Sequence, residues 1–419
     1  MRSWKAVTLT SGTKAYWIIG AMISTVITAR FLGPQGRGVI AAATSSVAVF
    51  VTFGHLSLAN VVVYLAGRGE RARVLPVVTG SLLAITGAVT LLGWTITATI
   101  YVLTAGRAFQ HIAPSVLLLA FAALPFLLWL ENGNSLLVVI GDLKRLNVAQ
   151  FAGTTTGVLL VAFVVGVMRG GVAAALAATL VSSVIVVGLG LTRVLRESRP
   201  LAISRHAIGE LLSGGIRLHL GAVGTFFFTH AGVLLLNQFR PVAEAGYFQL
   251  AMQFTTATQV VPMAVAVVAY SLVARDGADA AWKEHRGLVL QTMLYATIAA
   301  AGSYLIAPVV VPLIAGPSFA PAVPLFRILT LSVFGMSLTT VMAPQWVARG
   351  YFLRVTVLSL VAAAIGVAGN YFFIPRYGMR ACAWVMVISY SVHLVNNTAF
   401  AWWIERRARR EPALAPLRG

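Results

Sequence analysis

Acidic residues are scarce in this chain of 419 residues: 11 Asp and Glu stand against 31 Lys and Arg. Charge of either sign makes up only 10% of the sequence, where a soluble domain carries about 25%. Apolar residues reach 59%, and the mean hydropathy is +0.87. A soluble globular domain is excluded, and a polytopic membrane protein remains. The single cysteine, Cys382, excludes an intramolecular disulfide. No Gly-x-x-x-x-Gly-Lys-Ser/Thr loop is present, which excludes nucleotide hydrolysis by that route. No His, Cys or acid cluster has metal-ligand spacing. No acidic pair falls in a loop on the outer side, where a polymerase or glycosyltransferase of lipid-linked sugars needs one. Catalytic residues, metal ligands and cofactors are therefore expected to be absent, and the chain is not expected to be an enzyme.

What the chain has instead is long apolar runs. Twelve of them approach the roughly 20 residues that a bilayer requires: 15–33, 38–66, 76–104, 114–140, 148–168, 172–192, 216–238, 247–274, 288–314, 323–347, 355–373 and 380–403. The N-terminus carries Arg2, Lys5 and Lys14 ahead of an apolar stretch, as a secretion signal does. With so many spans following, it is read as an uncleaved first helix.

With both termini placed in the cytoplasm, 23 of the 31 Lys and Arg fall on the cytoplasmic side and six on the outer side. Arg37 is one of those six, assigned to the turn between runs 1 and 2. That asymmetry obeys the positive-inside rule. The net charge of +20 then faces anionic lipid, and nucleic acid is not expected as a partner. Arg30 and Arg327 are the two cations left in the membrane or at its edge.

A polar interval near 193–215 divides the runs into two sets of six. An even number per half gives both halves one orientation, so the expected relation is a pseudo-twofold along the membrane normal. Sliding the chain by 208 residues superposes Phe31 on Phe239, Gly38 on Gly246 and Ala66 on Ala274, in agreement with paired halves. The fold class is all-α, about 12 transmembrane helices in two six-helix bundles. The expected divisions are 1–200, 201–404 and a basic cytoplasmic tail at 405–419, disordered beyond its first residues. Ser204 is expected to cap a short surface helix, with Gly214-Gly215 as a flexible joint.

Ionisable groups inside a membrane cost at least ~2.5–3.5 kcal/mol, so they mark candidate sites. Arg30 and Arg327 are candidates for binding an anion in a central cavity, because guanidinium pairs bidentately with phosphate oxygens. The alternative is that both snorkel to the outer interface. Glu131, beside Asn132 and Asn134, is a candidate for a coupling proton or cation, or else pairs with Arg68 or Lys144. His55 and His230 are candidate cavity groups, together with Asn60, Asn237 and Gln253. Polar side chains on apolar helices serve equally well as interhelical hydrogen-bond donors and acceptors.

The stretch Ala29-Arg30-Phe31-Leu32-Gly33-Pro34-Gln35-Gly36-Arg37-Gly38 resembles the first outer hairpin of polysaccharide and O-antigen flippases in the multidrug/oligosaccharidyl-lipid/polysaccharide (MOP) superfamily. Ala245-Gly246-Tyr247-Phe248 resembles the start of their eighth helix. Gly316-Pro317-Ser318-Phe319-Ala320-Pro321 through Arg327 resembles the turn into their tenth, and Asn370 with Ile374-Pro375-Arg376-Tyr377-Gly378 their turn from helix 11 to helix 12.

The resemblance implies two bundles around a cationic cavity with Arg30 and Arg327 facing it. The implied activity is movement of an undecaprenyl-pyrophosphate-linked oligosaccharide across a bacterial plasma membrane by alternating access. Membrane lipids would be partners. A monomer is expected, associated with other polysaccharide biosynthesis proteins. One departure is that no helix interior holds a lysine, so a multi-cation clamp is not evident. A drug or metabolite exporter of the same superfamily is the second reading, and a membrane-embedded polymerase the third. Lipid II flippases usually carry two further helices.

Overall fold

The computed structural model describes residues 2–68 and 71–410. No strand occurs among them. In lipid every backbone N–H and C=O must be satisfied internally, and a helix does this within one segment. The elements are α1 (Arg2–His55), α2 (Leu58–Arg68), α3 (Arg71–Leu103), α4 (Pro114–Ala122), α5 (Leu124–Ile140), α6 (Leu143–Val161), α7 (Val172–Glu197) and α8 (Arg205–Phe239). They continue as α9 (Val242–Ala257), α10 (Val260–Asp276), α11 (Trp282–Ala315), α12 (Ala322–Leu329), α13 (Ser332–Ala348), α14 (Phe352–Tyr377) and α15 (Met379–Arg410).

All twelve apolar runs are helical over most of their length. Among the described residues eight helical spans are long and apolar enough to cross a membrane, and two bent pairs, α9 with α10 and α12 with α13, raise the number to ten. The first of the eight, Tyr16–Val63, covers two of the expected runs, because α1 is really two arms that meet at Gly33. That residue has φ 67°, outside the helical region, and only glycine adopts it without strain. Pro34 then opens the second arm, where a missing N–H costs nothing. Residues nine apart stand on opposite faces of a continuous helix. Yet Arg37 donates to the Thr28 hydroxyl at 3.1 Å, which shows that the arms fold against one another. The twelfth run lies on α15, where Ser389, Ser391, His393, Asn396 and Asn397 lower the hydropathy.

The architecture has two lobes. In the N-terminal one, Leu58, Val62, Leu82 and Leu136 form one core, and Ala43, Val47, Leu124 and Leu128 another. In the C-terminal one, Phe248, Leu250, Phe319 and Leu325 are fully buried together, and Val341, Met342 and Trp346 pack with Trp282. The outer faces are apolar: Leu103, Leu305 and Leu353 are each more than 70% exposed, as lipid-facing side chains are.

Three local expectations are settled by tertiary packing. Ser204 caps α8, accepting from the Ala207 N–H. Gly214-Gly215 is no joint: α8 runs through it unbroken. Side chains there would strike Val61 and the Leu56 carbonyl, so the glycines permit close packing of α8 on α2. At the C-terminus α15 stays helical to Arg410, with Arg406 over Trp402 at 3.5 Å; residues 411–419 of the expected disordered tail lie outside the described ones.

Candidate functional site

The lobes meet where α1 faces α8, α9 and the end of α11. Nearest the Gly33 turn, the approach is backbone to backbone. A Cβ on Gly38 would overlap the Val242 carbonyl, and one on Gly246 would overlap the Pro34 carbonyl. These are the two glycines that the 208-residue offset superposes. Each forms its half of one contact, as a twofold relation requires.

Arg37 lies beside this contact. It belongs to the second arm of α1 and not to a loop, and is only 5% exposed. Its Nη1 donates to Thr28 Oγ1 and its Nη2 to Gln253 Oε1 across the lobe boundary, both at 3.1 Å. Its Nε, also buried, has no partner. Sequence reasoning missed Arg37, because flanking Gly-Pro-Gln-Gly reads as a turn. Its nearness to the superposed Gly38 was the available signal.

Arg30 is exposed. It donates from Nε to the Ile314 carbonyl at 2.7 Å and from Nη2 to that of Leu313. These carbonyls end α11, where a helix presents partial negative charge. Arg327 donates to the Tyr304 carbonyl at 3.1 Å and stands over the Tyr304 ring at 4.8 Å. The two arginines thus hold carbonyls of α11 nine to ten residues apart, roughly 14 Å along that helix, and the structure does not bring them together.

Down the boundary between α1 and α8, Ser45 and His230 Nδ1 are 3.5 Å apart, and Phe53 meets Phe226 and Phe227 edge-on. His55 and His219 follow, ring centroids 5.0 Å apart. His55 Nδ1 accepts from the Ser57 N–H at 3.0 Å, which places the neutral ring's proton on Nε2. The break at Leu56-Ser57, both at positive φ, makes that hydrogen bond possible. Asn237 donates to Val233 and keeps a buried, unpartnered Oδ1; it lines a small cleft with Ser46, Gln110 and His111. Asn60 is exposed on α2. Glu131 is exposed on α5, and its neighbour Asn132 is buried with Oδ1 unpartnered. No described residue pairs with Glu131 or joins it to the histidines. Among the described residues no group of His, Cys, Asp or Glu could hold a metal ion.

Outside the membrane-spanning segments several charges are paired. Asp142, the N-cap of α6, accepts the Arg145 N–H and the Arg193 guanidinium, each at 3.0 Å. The backbone hydrogen bond first, and then Arg193, hold its carboxyl below the usual value.

Two lobes of apolar helices, joined along a seam of polar side chains, define a multi-pass membrane protein. The chain belongs to the polysaccharide biosynthesis protein family, whose model matches residues 27–324. No curated protein sequence matches it. Among solved structures it is similar to the lipid II flippase MurJ in an inward closed conformation, at 10% identity over 94% of this chain and 87% of that one, TM-score 0.79. It is also similar to an inward-facing multidrug resistance transporter of the MATE family, in the MOP superfamily, at 17% identity over 98% and 96%, TM-score 0.64. A MOP superfamily transporter from Pyrococcus furiosus is similar at 15% identity over 98% and 96%, TM-score 0.60. The resemblance in the sequence and the likeness to these structures agree on the fold.

Proposed function

We propose that the protein moves an undecaprenyl-diphosphate-linked oligosaccharide across a bacterial plasma membrane, for assembly of a cell-surface polysaccharide. The family match over most of the chain, together with the two-lobed transporter fold, carries this reading. Neither end of such a substrate can follow the other's route. The sugar needs a polar path between the lobes, while the lipid tail stays in the bilayer. In the proposed orientation both termini are cytoplasmic, the lobes are 1–200 and 201–404, and the Gly33 turn is on the outer side. The outer ends of the lobes are then in backbone contact at Gly38 and Gly246, and the inner ends at Gly215, which lies against the Leu56 carbonyl. Outward passage of an anionic diphosphate is assisted by a membrane potential negative inside, at ~2.3 kcal/mol per charge per 100 mV. Glu131 is the proposed coupling group if protons contribute. Arg30 acts at the outer rim, holding α11 of the other lobe in the closed arrangement and meeting the headgroup when it opens. Arg327, about 14 Å further along α11 and within the same lobe as that helix, acts deeper in the path. The protein acts as a transporter and not as an enzyme.

A drug exporter of the same superfamily is the second reading, and the likeness to the MATE transporter favours it. Arg37 weighs against export of a cation, because a buried guanidinium at the lobe boundary repels one. Deleting the gene in its own host separates the two readings. Flipping predicts accumulation of lipid-linked oligosaccharide and loss of surface polysaccharide, with drug sensitivity unchanged. Raised drug sensitivity with an intact surface would overturn the proposal.

A further inference from the structure

We propose that Arg37 is an anion-binding residue of the transport path, receiving a phosphate of the lipid-linked diphosphate when the lobes part beside Gly38. The proposal rests on the substrate reading above and adds a residue that no resemblance in the sequence supplied.

The argument begins with how this cation is held. Burying a charge is costly unless it is paired and fully hydrogen-bonded. Arg349, whose side chain is 9% exposed, meets that requirement with the Asp279 carboxylate. Arg37 does not. Its two partners, Thr28 and Gln253, are neutral, its Nε has none, and no ion pair includes it among the described residues. The closed arrangement leaves a guanidinium under-compensated.

Its position gives that shortfall a use. Thr28 belongs to the same lobe as Arg37 and Gln253 to the other. The bond to Gln253 runs beside the place where Gly38 and Gly246 let the backbones touch. Parting the lobes there breaks the Gln253 bond and exposes the guanidinium, with Thr28 still steadying one nitrogen. The freed Nη2 and the unused Nε lie on one edge of the planar fork, the geometry that takes two phosphate oxygens at once. Gln253 thus occupies the anion's place in the closed state, and the anion favours the open one by the difference in its affinity for the two states.

The test uses the full-length protein in lipid nanodiscs, with undecaprenyl diphosphate, undecaprenyl monophosphate and undecaprenol as probes. Binding and melting temperature are both measured for native protein, Arg37→Met and Gln253→Glu. Native protein is expected to prefer the diphosphate. Arg37→Met is expected to bind it at least tenfold more weakly while melting no lower than native, because an apolar side chain replaces a buried charge lacking an acid partner. A merely structural arginine predicts the opposite on both readings. Gln253→Glu keeps the arginine but supplies it with a carboxylate, and is expected to melt higher and bind the diphosphate more weakly. If Arg37→Met does not fold, Gln253→Glu decides. Unchanged diphosphate affinity in either variant overturns the role of Arg37 and leaves the substrate reading standing. Failure of native protein to distinguish the three probes overturns the substrate reading and the role of Arg37 with it.

Discussion

Replacing Gly38 with alanine should pry the lobes apart at the Gly33 end. The added Cβ would fall well inside van der Waals distance of the Val242 carbonyl oxygen. That oxygen is backbone at the first residue of α9, so no rotamer change relieves the overlap. A carbon and a carbonyl oxygen need about 3.3 Å, which requires α1 and α9 to separate by on the order of 1 Å. Overpacking of this kind costs about 1–3 kcal/mol. The cost falls on the closed arrangement alone, because the contact exists only there, and it corresponds to a population change of roughly 5–150-fold. Spin labels at Gln35 and Ser318, both exposed, report the opening, with Cys382 replaced by serine so that labelling is specific. Pulsed dipolar spectroscopy should show a longer distance gaining weight in Gly38→Ala and in Gly246→Ala. Gly87→Ala meets open space and should leave the distribution as it is. Equal distributions in all three variants would refute the reasoning that a glycine pair sets this contact.

Other outcomes follow from single contacts. Arg30→Met removes a cation from the carbonyl end of α11 and should lower stability by about 1 kcal/mol, read as a small drop in melting temperature with a partial shift of the same spin-label distance. The Asp142 carboxyl is held below its usual value, so its contribution is present above the ordinary carboxylate range and is lost as pH falls through the lower folded value. Melting temperature should therefore decline below about pH 4, and Asp142→Asn should flatten that decline. Glu131→Gln tests coupling: if a proton on Glu131 drives transport, the variant loses the dependence on a pH gradient and keeps that on potential. Full retention of the gradient dependence would remove Glu131 from the mechanism.

Much of the fold can be read in the sequence because lipid imposes it. A run of some twenty apolar residues in lipid satisfies its own backbone as a helix. The repeat offset of 208 is legible too, and it superposes two glycines that turn out to touch the opposite lobe. The breaks within spans are harder to see. Those before Leu124 and Val260 lie two to four residues ahead of Pro125 and Pro262, where the ring disfavours helix upstream, yet many helices absorb such prolines. The unbroken passage of α8 through Gly214-Gly215 is set by packing on α2, which no local pattern records. The site was only partly legible. Arg30 drew attention through its place in an apolar run, whereas Arg37, more deeply buried, was hidden by turn-forming neighbours. Gln253 stood out as polar on an apolar helix, but its partner was 216 residues away.

Translocation itself is the most direct measurement. Purified protein in proteoliposomes, with fluorescent undecaprenyl-diphosphate oligosaccharide in one leaflet and an imposed potential, should render the label accessible from the other side faster than protein-free vesicles do. The rate should rise with a potential that favours movement of negative charge in that direction. Rates equal to those of protein-free vesicles, across several glycans and both signs of potential, would contradict the account.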